Sequence, residues 1–533
     1  MECRFLIQPD LPRQIIDELL DQFLIVFGDA IFQKLDNLLL PLHVRRSEQL
    51  VLVQGIEQFI VLGGALLLDI TEAGEPDAIV GHVDALGPRA RDIHQIVRSG
   101  AHKVPPRSNL LQLMLHQSKI WNLDFNVMRW SIATVAFCAG CASLLFGNQS
   151  VPFDFSRSIR VDYVHSGGPR GESLTLDAVV SEGAWPGSRN QLIDTTNLGQ
   201  YLFEVIDGSS NRVIYSRGFA TIYGEWVTTA EFRSRNRSFH ESVRFPRPVG
   251  PVQVAISRRD SQNVFRPLWK IDVDPRSAVE VKAARGVVSS IVDSGPPDRK
   301  VDLLLIGDRY AASQSASFLA DASRLVAALF ALEPFASRRA DFNVRALHVP
   351  NAAPRVEFNI FGLQRYALTY DNRALRNLAA AAPYDVVGIL LNEAKYGGGG
   401  IFNQQSTVAA SNESAAYVFI HELAHNLAGL GDEYVGSVTY ETGAPVKAEP
   451  WEPNITALHD PSQLKWRDLV EPGTPLPTPL SHAGKVGAFE GAGYEARGLY
   501  RPEMTCIMGA RTVRDFCRVC QRAIERVIDL HTN

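Results

Sequence analysis

The residue types that can do chemistry crowd into one short stretch of this 533-residue chain, "FIHELAHNLAGLGDEY" at 419–434. His421 and His425 are four apart, so a helix through them stacks both imidazoles on one face, within reach of a single cation. Glu422 is rotated about 100° from that face. There it stands beside a metal's open position, where it can take a proton from water that zinc has acidified. His-Glu-x-x-His also arises by chance on solvated helix faces. Here Val418, Phe419 and Ile420 precede the motif and point to a buried helix. Gly429 and Gly431 then stop the helix and let the chain reverse. The reversal delivers two acids, Asp432 and Glu433, toward the metal.

The familiar extended zinc pattern sets a glycine three residues and a His or Asp six residues after the second His. Those positions are Ala428 and Gly431 here, and the glycine and acid each arrive one residue late, as Gly429 and Asp432. A second checkpoint is the tight turn around a methionine that lies beneath the metal in metzincin peptidases. "TCIMGA" supplies Met508, one of five methionines in the chain. "YGGGG" at 396–400 lacks the Lys-Ser/Thr ending of a phosphate loop and precedes a strand, so it reads as a flexible rim beside a cleft.

These residues need a scaffold. From 300 onward, short apolar runs ("VDLLLIG", "FNVRALHVP", "DVVGILLNE") alternate with helix-like stretches ("SASFLADASRLVAALFAL", "NRALRNLAAAAP"). That alternation predicts an α/β domain over 300–533 with a mostly parallel sheet. A fourth strand is expected at 400–408, able to pair with an extended peptide at the cleft rim. The motif helix follows, capped by Ser411 or Asn412. Over 150–275 the chain instead alternates strand-like runs ("SIRVDYVHSG", "SLTLDAVVSE", "QYLFEVID") with turn residues, which predicts an antiparallel β-sandwich domain. Residues 276–299, ending in "DSGPPDRK", read as a linker.

Upstream, residues 1–127 carry only short, acid-interrupted apolar bursts and no motif. At 128–147, Arg129 precedes an apolar run over 132–146, the layout of a secretory signal peptide or a single membrane anchor. Residues 1–127 are therefore expected to be a mis-called upstream extension, with Met128 as the start. "FCAGC" ending at Cys141 resembles a lipobox, but Cys138 stands where that motif wants an aliphatic residue. The expected location is secreted or in the cell envelope. A net charge of −5 without a basic block gives no electrostatic case for nucleic acid, and six cysteines are too few for a disulfide scaffold.

"HELAHNLAGLGDEY" resembles the signature of the immunoglobulin A peptidase family of zinc metalloendopeptidases. The likeness extends to "GDRYAASQSASFLADA", "NEAKYGGGG", "PNITALHDPSQLKWRDL", "VGAFEGAGYEARGLYRPEMTCIM" and "FCRVCQRAI", and upstream to "LIDTTNLGQYLFEV" and "FPRPVGPVQV". It covers about 153–530. The resemblance implies a Zn2+-dependent endopeptidase acting on protein or peptide substrates, with a metzincin-like α/β domain behind the sandwich. It makes His421, His425 and Asp432 the zinc ligands and Glu422 the general base, with Glu433 as the competing ligand or the residue that orients a ligand histidine. Tyr434, Tyr494 and Tyr500 are the candidate oxyanion donors, because Ala510 stands where some metzincins place a tyrosine. For Cys506, Cys517 and Cys520, a disulfide from Cys506 to one of the other two is expected, in preference to a second zinc site without an obvious fourth ligand. The rival functions are a catalytically dead peptidase-like binding protein and a zinc amidase acting on cell-wall peptides.

Overall fold

The computed structural model describes residues 152–532, apart from 282, 283, 285, 351–353 and 437–447. It also describes two short antiparallel strands upstream, β1 (Phe59–Leu62) and β2 (Ala65–Leu68). The signal or anchor expected at 128–147, and the rest of 1–127, lie outside the described residues.

The strand-rich region forms two four-stranded sheets. One holds β3 (Phe153–Gly168), β4 (Gly171–Glu182), β7 (Arg237–Pro248) and β10 (Val279–Glu280), in the order β10-β4-β3-β7. The other holds β5 (Tyr201–Asp207), β6 (Val213–Phe219), β8 (Val252–Arg259) and β9 (Phe265–Val273), in the order β6-β5-β8-β9. Every pairing is antiparallel except β10 on β4. Side chains alternate along a strand, so Tyr201, Phe203 and Val205 of β5 and Val254 and Ile256 of β8 all face one way. They share a core with Ile159, Val161 and Tyr163 of β3 and with Val243 and Phe245 of β7.

The second sheet system has the order β11-β13-β12-β14-β16-β15. Its strands are β11 (Val287–Val292), β12 (Val301–Asp308), β13 (Phe342–His348), β14 (Val386–Leu391), β15 (Gly398–Ile401) and β16 (Gln405–Ala409). The four inner strands are parallel, and β11 and β15 run antiparallel at the two edges. All eight residues of β12 and all six of β14 are buried, as a sheet covered on both faces requires. Leu303 and Leu305 pack toward α2 (Ser315–Leu329), α4 (Ala415–Ala428) and α5 (Arg518–Thr532), whereas Leu304 and Ile306 pack toward α3 (Asn372–Ala379). The period of two along a single strand thus sets which helix lies on which side.

Two expectations change. The stretch 276–299 is not a free linker, since β10 extends the first domain's sheet and β11 forms an edge of the α/β sheet. The expected strand at 400–408 is instead a hairpin, turned by residues 402–404 with Asn403 in the left-handed region at φ 57°. Its β15 is the "GGGI" run, so these glycines form a packed strand and not a flexible rim. A Cβ on Gly400 would lie 2.3 Å from the Glu422 carbonyl oxygen and 2.9 Å from the His425 Cβ. Only glycine lets the strand approach α4 this closely. The outer edge of β15 is also partly taken, because Gly398 bonds to Arg365 and Ala367.

Candidate metal centre

Helix α4 begins at Ala415 after Ser414, whose N–H bonds to the Asn412 side chain at 2.9 Å. The helix ends where Gly429 takes φ 61°, with its N–H donating to the His425 carbonyl. Beyond it the chain is pinned residue by residue. The Asn454 amide grips both backbone groups of Gly431, at 2.7 and 2.9 Å. The Asp432 carbonyl accepts from Gly493, and the Glu433 N–H donates to the Met508 carbonyl at 2.9 Å. These bonds fix the path after the helix and therefore the direction of each acid.

Each imidazole uses Nδ1 on a backbone carbonyl. His425 Nδ1 bonds to Leu430, and His421 Nδ1 lies 3.2 Å from the Ile507 carbonyl and 3.4 Å from the Tyr417 hydroxyl. Both Nε2 atoms are thereby aimed at one point, 3.1 Å from each other. Asp432 Oδ1 completes the triangle, 3.0 Å from His421 Nε2 and 3.5 Å from His425 Nε2. Ligands about 2.0–2.1 Å from a tetrahedral zinc stand roughly 3.4 Å apart, so the three donors fit such an ion. The second carboxylate oxygen of Asp432 accepts from the Tyr494 hydroxyl. Burial disfavours a charged His425, but the Asp432 carboxylate outweighs it and raises the ring to about 9. Burial likewise works against the Asp432 carboxylate, yet the two histidines hold its carboxyl well below the usual range.

Glu422 lies on the side of α4 that faces β15, its Cγ 3.2 Å from where a Gly398 Cβ would stand. Burial lifts its carboxyl above the ordinary range, against the pull of both histidines. A carboxyl raised in this way suits proton transfer near neutral pH.

The family model described as IgA Peptidase M64 matches residues 289–484 and 480–528, and that described as Peptidase M64 N-terminus matches residues 152–270. The chain belongs to the IgA peptidase family. A search of curated proteins gives no match. Membership in this family implies a peptidase, an enzyme whose substrates are proteins. Among the described residues, no helix is long and apolar enough to cross a membrane.

In this IgA-family peptidase the two neighbouring acids part. Asp432 faces the histidines, while Glu433 turns into a buried cluster with Cys506, Cys517 and Cys520. The expected disulfide is not formed: all three thiols are free, and the Cys506 and Cys520 sulfurs are 3.8 Å apart against about 2.05 Å for a bond. Met508 is fully buried in a tight turn closed by Gly509 and Ala510 N–H bonds to the Cys506 carbonyl. That turn supplies the carbonyls that meet His421 and the Glu433 N–H. Of the three tyrosines, Tyr494 bonds to Asp432 and packs edge-on against Tyr434 at 5.2 Å. The Tyr434 hydroxyl accepts from Arg365 at 3.1 Å. Tyr500 pairs through its backbone with Thr456 and Glu490, and no hydrogen bond joins it to the histidines among the described residues.

Sequence reasoning missed Tyr417, Asn454 and Glu225. Tyr417 is four before His421 on the same helix face, a spacing that was readable. Asn454 and Glu225 carry no local signal. Glu225 belongs to α1 (Ile222–Trp226) in the first domain, yet it accepts from Tyr366 of the second domain at 3.2 Å. Burial pushes its carboxyl up to about 7, against the opposing Tyr366 hydrogen bond and the charge of His425.

Proposed function

We propose that the chain is a zinc-dependent endopeptidase in which His421, His425 and Asp432 hold the ion and Glu422 is the general base. One observation carries this reading: two Nε2 atoms and Asp432 Oδ1 stand 3.0–3.5 Å apart beside a half-buried Glu422, in a chain of a peptidase family. When bound, zinc supplies Lewis acidity, which polarises a carbonyl and acidifies water. Glu422 accepts the proton of the attacking water and passes it to the leaving amine. The carbonyl bonds at Nδ1 keep both rings in one tautomer, and Tyr494 keeps Asp432 from rotating. Tyr494 is engaged with Asp432, so Tyr434, held by Arg365, is the candidate donor to the oxyanion.

The metzincin-like character of the domain rests on the motif, the Met508 turn beneath it and the antiparallel edge strand β15 beside it. Export to the envelope or beyond rests on the sequence at 128–147 alone. The deciding experiment is Glu422→Gln with a peptide library as substrate. A fall in kcat of roughly 10²–10⁴-fold with bound zinc unchanged is expected, and undiminished cleavage overturns the mechanism.

A further inference from the structure

Behind the histidine site lies a second group of metal-type donors. Glu433, Cys506, Cys517 and Cys520 are exposed by 0%, 1%, 3% and 0%. One donor atom from each lies within 4.8 Å of the other three. Cys506 Sγ is 3.8 Å from Cys520 Sγ, and Glu433 Oε1 is 3.1 Å from Cys520 Sγ and 3.8 Å from Cys517 Sγ. Sulfurs bound at about 2.3 Å to a tetrahedral zinc stand roughly 3.8 Å apart, the separation seen here and nearly twice that of a disulfide.

Burial raises the Cys517 and Cys520 thiols, and two local features oppose it. Backbone N–H groups point at the sulfurs, Cys517 to Cys506 at 3.4 Å and Cys520 to Cys517 at 3.5 Å. Cys517 and Cys520 straddle the start of the 15-residue α5, where the helix dipole favours negative charge. Asn454 donates to Glu433 Oε1 at 2.8 Å, while Oε2 is buried without a hydrogen-bond partner. The nearby Arg501 donates to the backbone carbonyl of Glu433. Thiols are at home in a core, but an acid buried with an unmatched oxygen is costly there, and a cation shared with the three sulfurs would offset that cost.

We propose that Glu433, Cys506, Cys517 and Cys520 bind a second, structural zinc ion, closed to solvent by four protein ligands. Binding replaces the thiol and carboxyl protons, which leave to solvent, and involves no redox step. The site would tie the segment carrying Asp432 to the turn carrying Ile507 and Met508 and to the start of α5. It therefore braces two of the groups that shape the histidine site.

The test is zinc per chain in the purified full-length protein, together with the spectrum after cobalt replacement. Two zinc ions are expected in the unaltered protein. One should remain in His421→Ala/His425→Ala, and cobalt there should still show the intense thiolate charge-transfer absorption that a His and carboxylate site lacks. Cys517→Ser/Cys520→Ser should lose that absorption; should this variant not fold, the histidine variant and the unaltered protein still decide. A single zinc removed by the histidine substitutions, cobalt without thiolate absorption, or a Cys–Cys bond found by mass spectrometry without reductant each overturns the proposal. A single zinc that keeps thiolate absorption and survives the histidine substitutions supports it while sinking the endopeptidase reading instead.

Discussion

Asp432 and Glu433 are adjacent acids with opposite surroundings. Asp432 meets two imidazoles whose other nitrogens are held by carbonyls, beside Glu422 and a strand edge. Glu433 meets three sulfurs in a fully buried group with no comparable opening. Catalytic zinc sites keep three protein ligands and an open position, whereas structural sites close all four. On the two proposals, one peptide unit serves two kinds of site, with Asp432 turned to the histidines and Glu433 to the sulfurs.

The sharpest way to break this comparison is to neutralise each acid alone. Asp432→Asn should lower kcat/KM by more than about 100-fold, beyond the upper end for residues that only orient a ligand. Glu433→Gln should act first on stability, by about 3 kcal/mol, since it removes a carboxylate from the proposed buried zinc site. The same loss from both, in activity and melting alike, would make them one site. Tyr494→Phe removes the hydroxyl on Asp432 and should weaken zinc binding roughly 10-fold or more. Equilibrium dialysis checks this, and unchanged affinity would show that Tyr494 does not hold the carboxylate. Gly400→Ala drives a Cβ into the Glu422 carbonyl and should destabilise by about 1–3 kcal/mol. A thermal melt equal to that of the unaltered protein would refute the close approach of β15.

A contrasting histidine sharpens what makes a metal-type site. His165 bonds to Glu241 through Nδ1 at 3.0 Å and to Glu172 through Nε2 at 2.9 Å, and stacks on Tyr223. Both nitrogens are engaged, so it is an ion-pair histidine. Burial opposes its charge, but the two acids outweigh burial and raise it to about 8 from 6.5. Its contribution should be complete below pH 6.5 and lost as pH rises through 8, about 2 kcal/mol in all. Urea melts at pH 6 and 8.5 should show that loss shrinking in His165→Gln and unaffected by chelators.

Much of the α/β half was legible because buried parallel strands are continuous apolar runs and α4 has both a hydrophobic approach and a glycine stop. The hairpin at 398–409 was less so, since a glycine-rich strand looks like a loop until the helix it must touch is in place. β10 and β11 were read as linker because short edge strands have little apolar pattern, and their pairing partners decide their state. The fourth member of the cysteine group was missed because Glu433 is remote in sequence from Cys506.

The sequence alone determined that His421, Glu422 and His425 share one helix and that an acid follows its glycine end, since helix periodicity and glycine stops are local properties. Only the tertiary structure decided which acid faces the histidines. The deciding contacts come from Asn454, Gly493, Tyr494 and Met508, and no local rule relates those positions to residue 432.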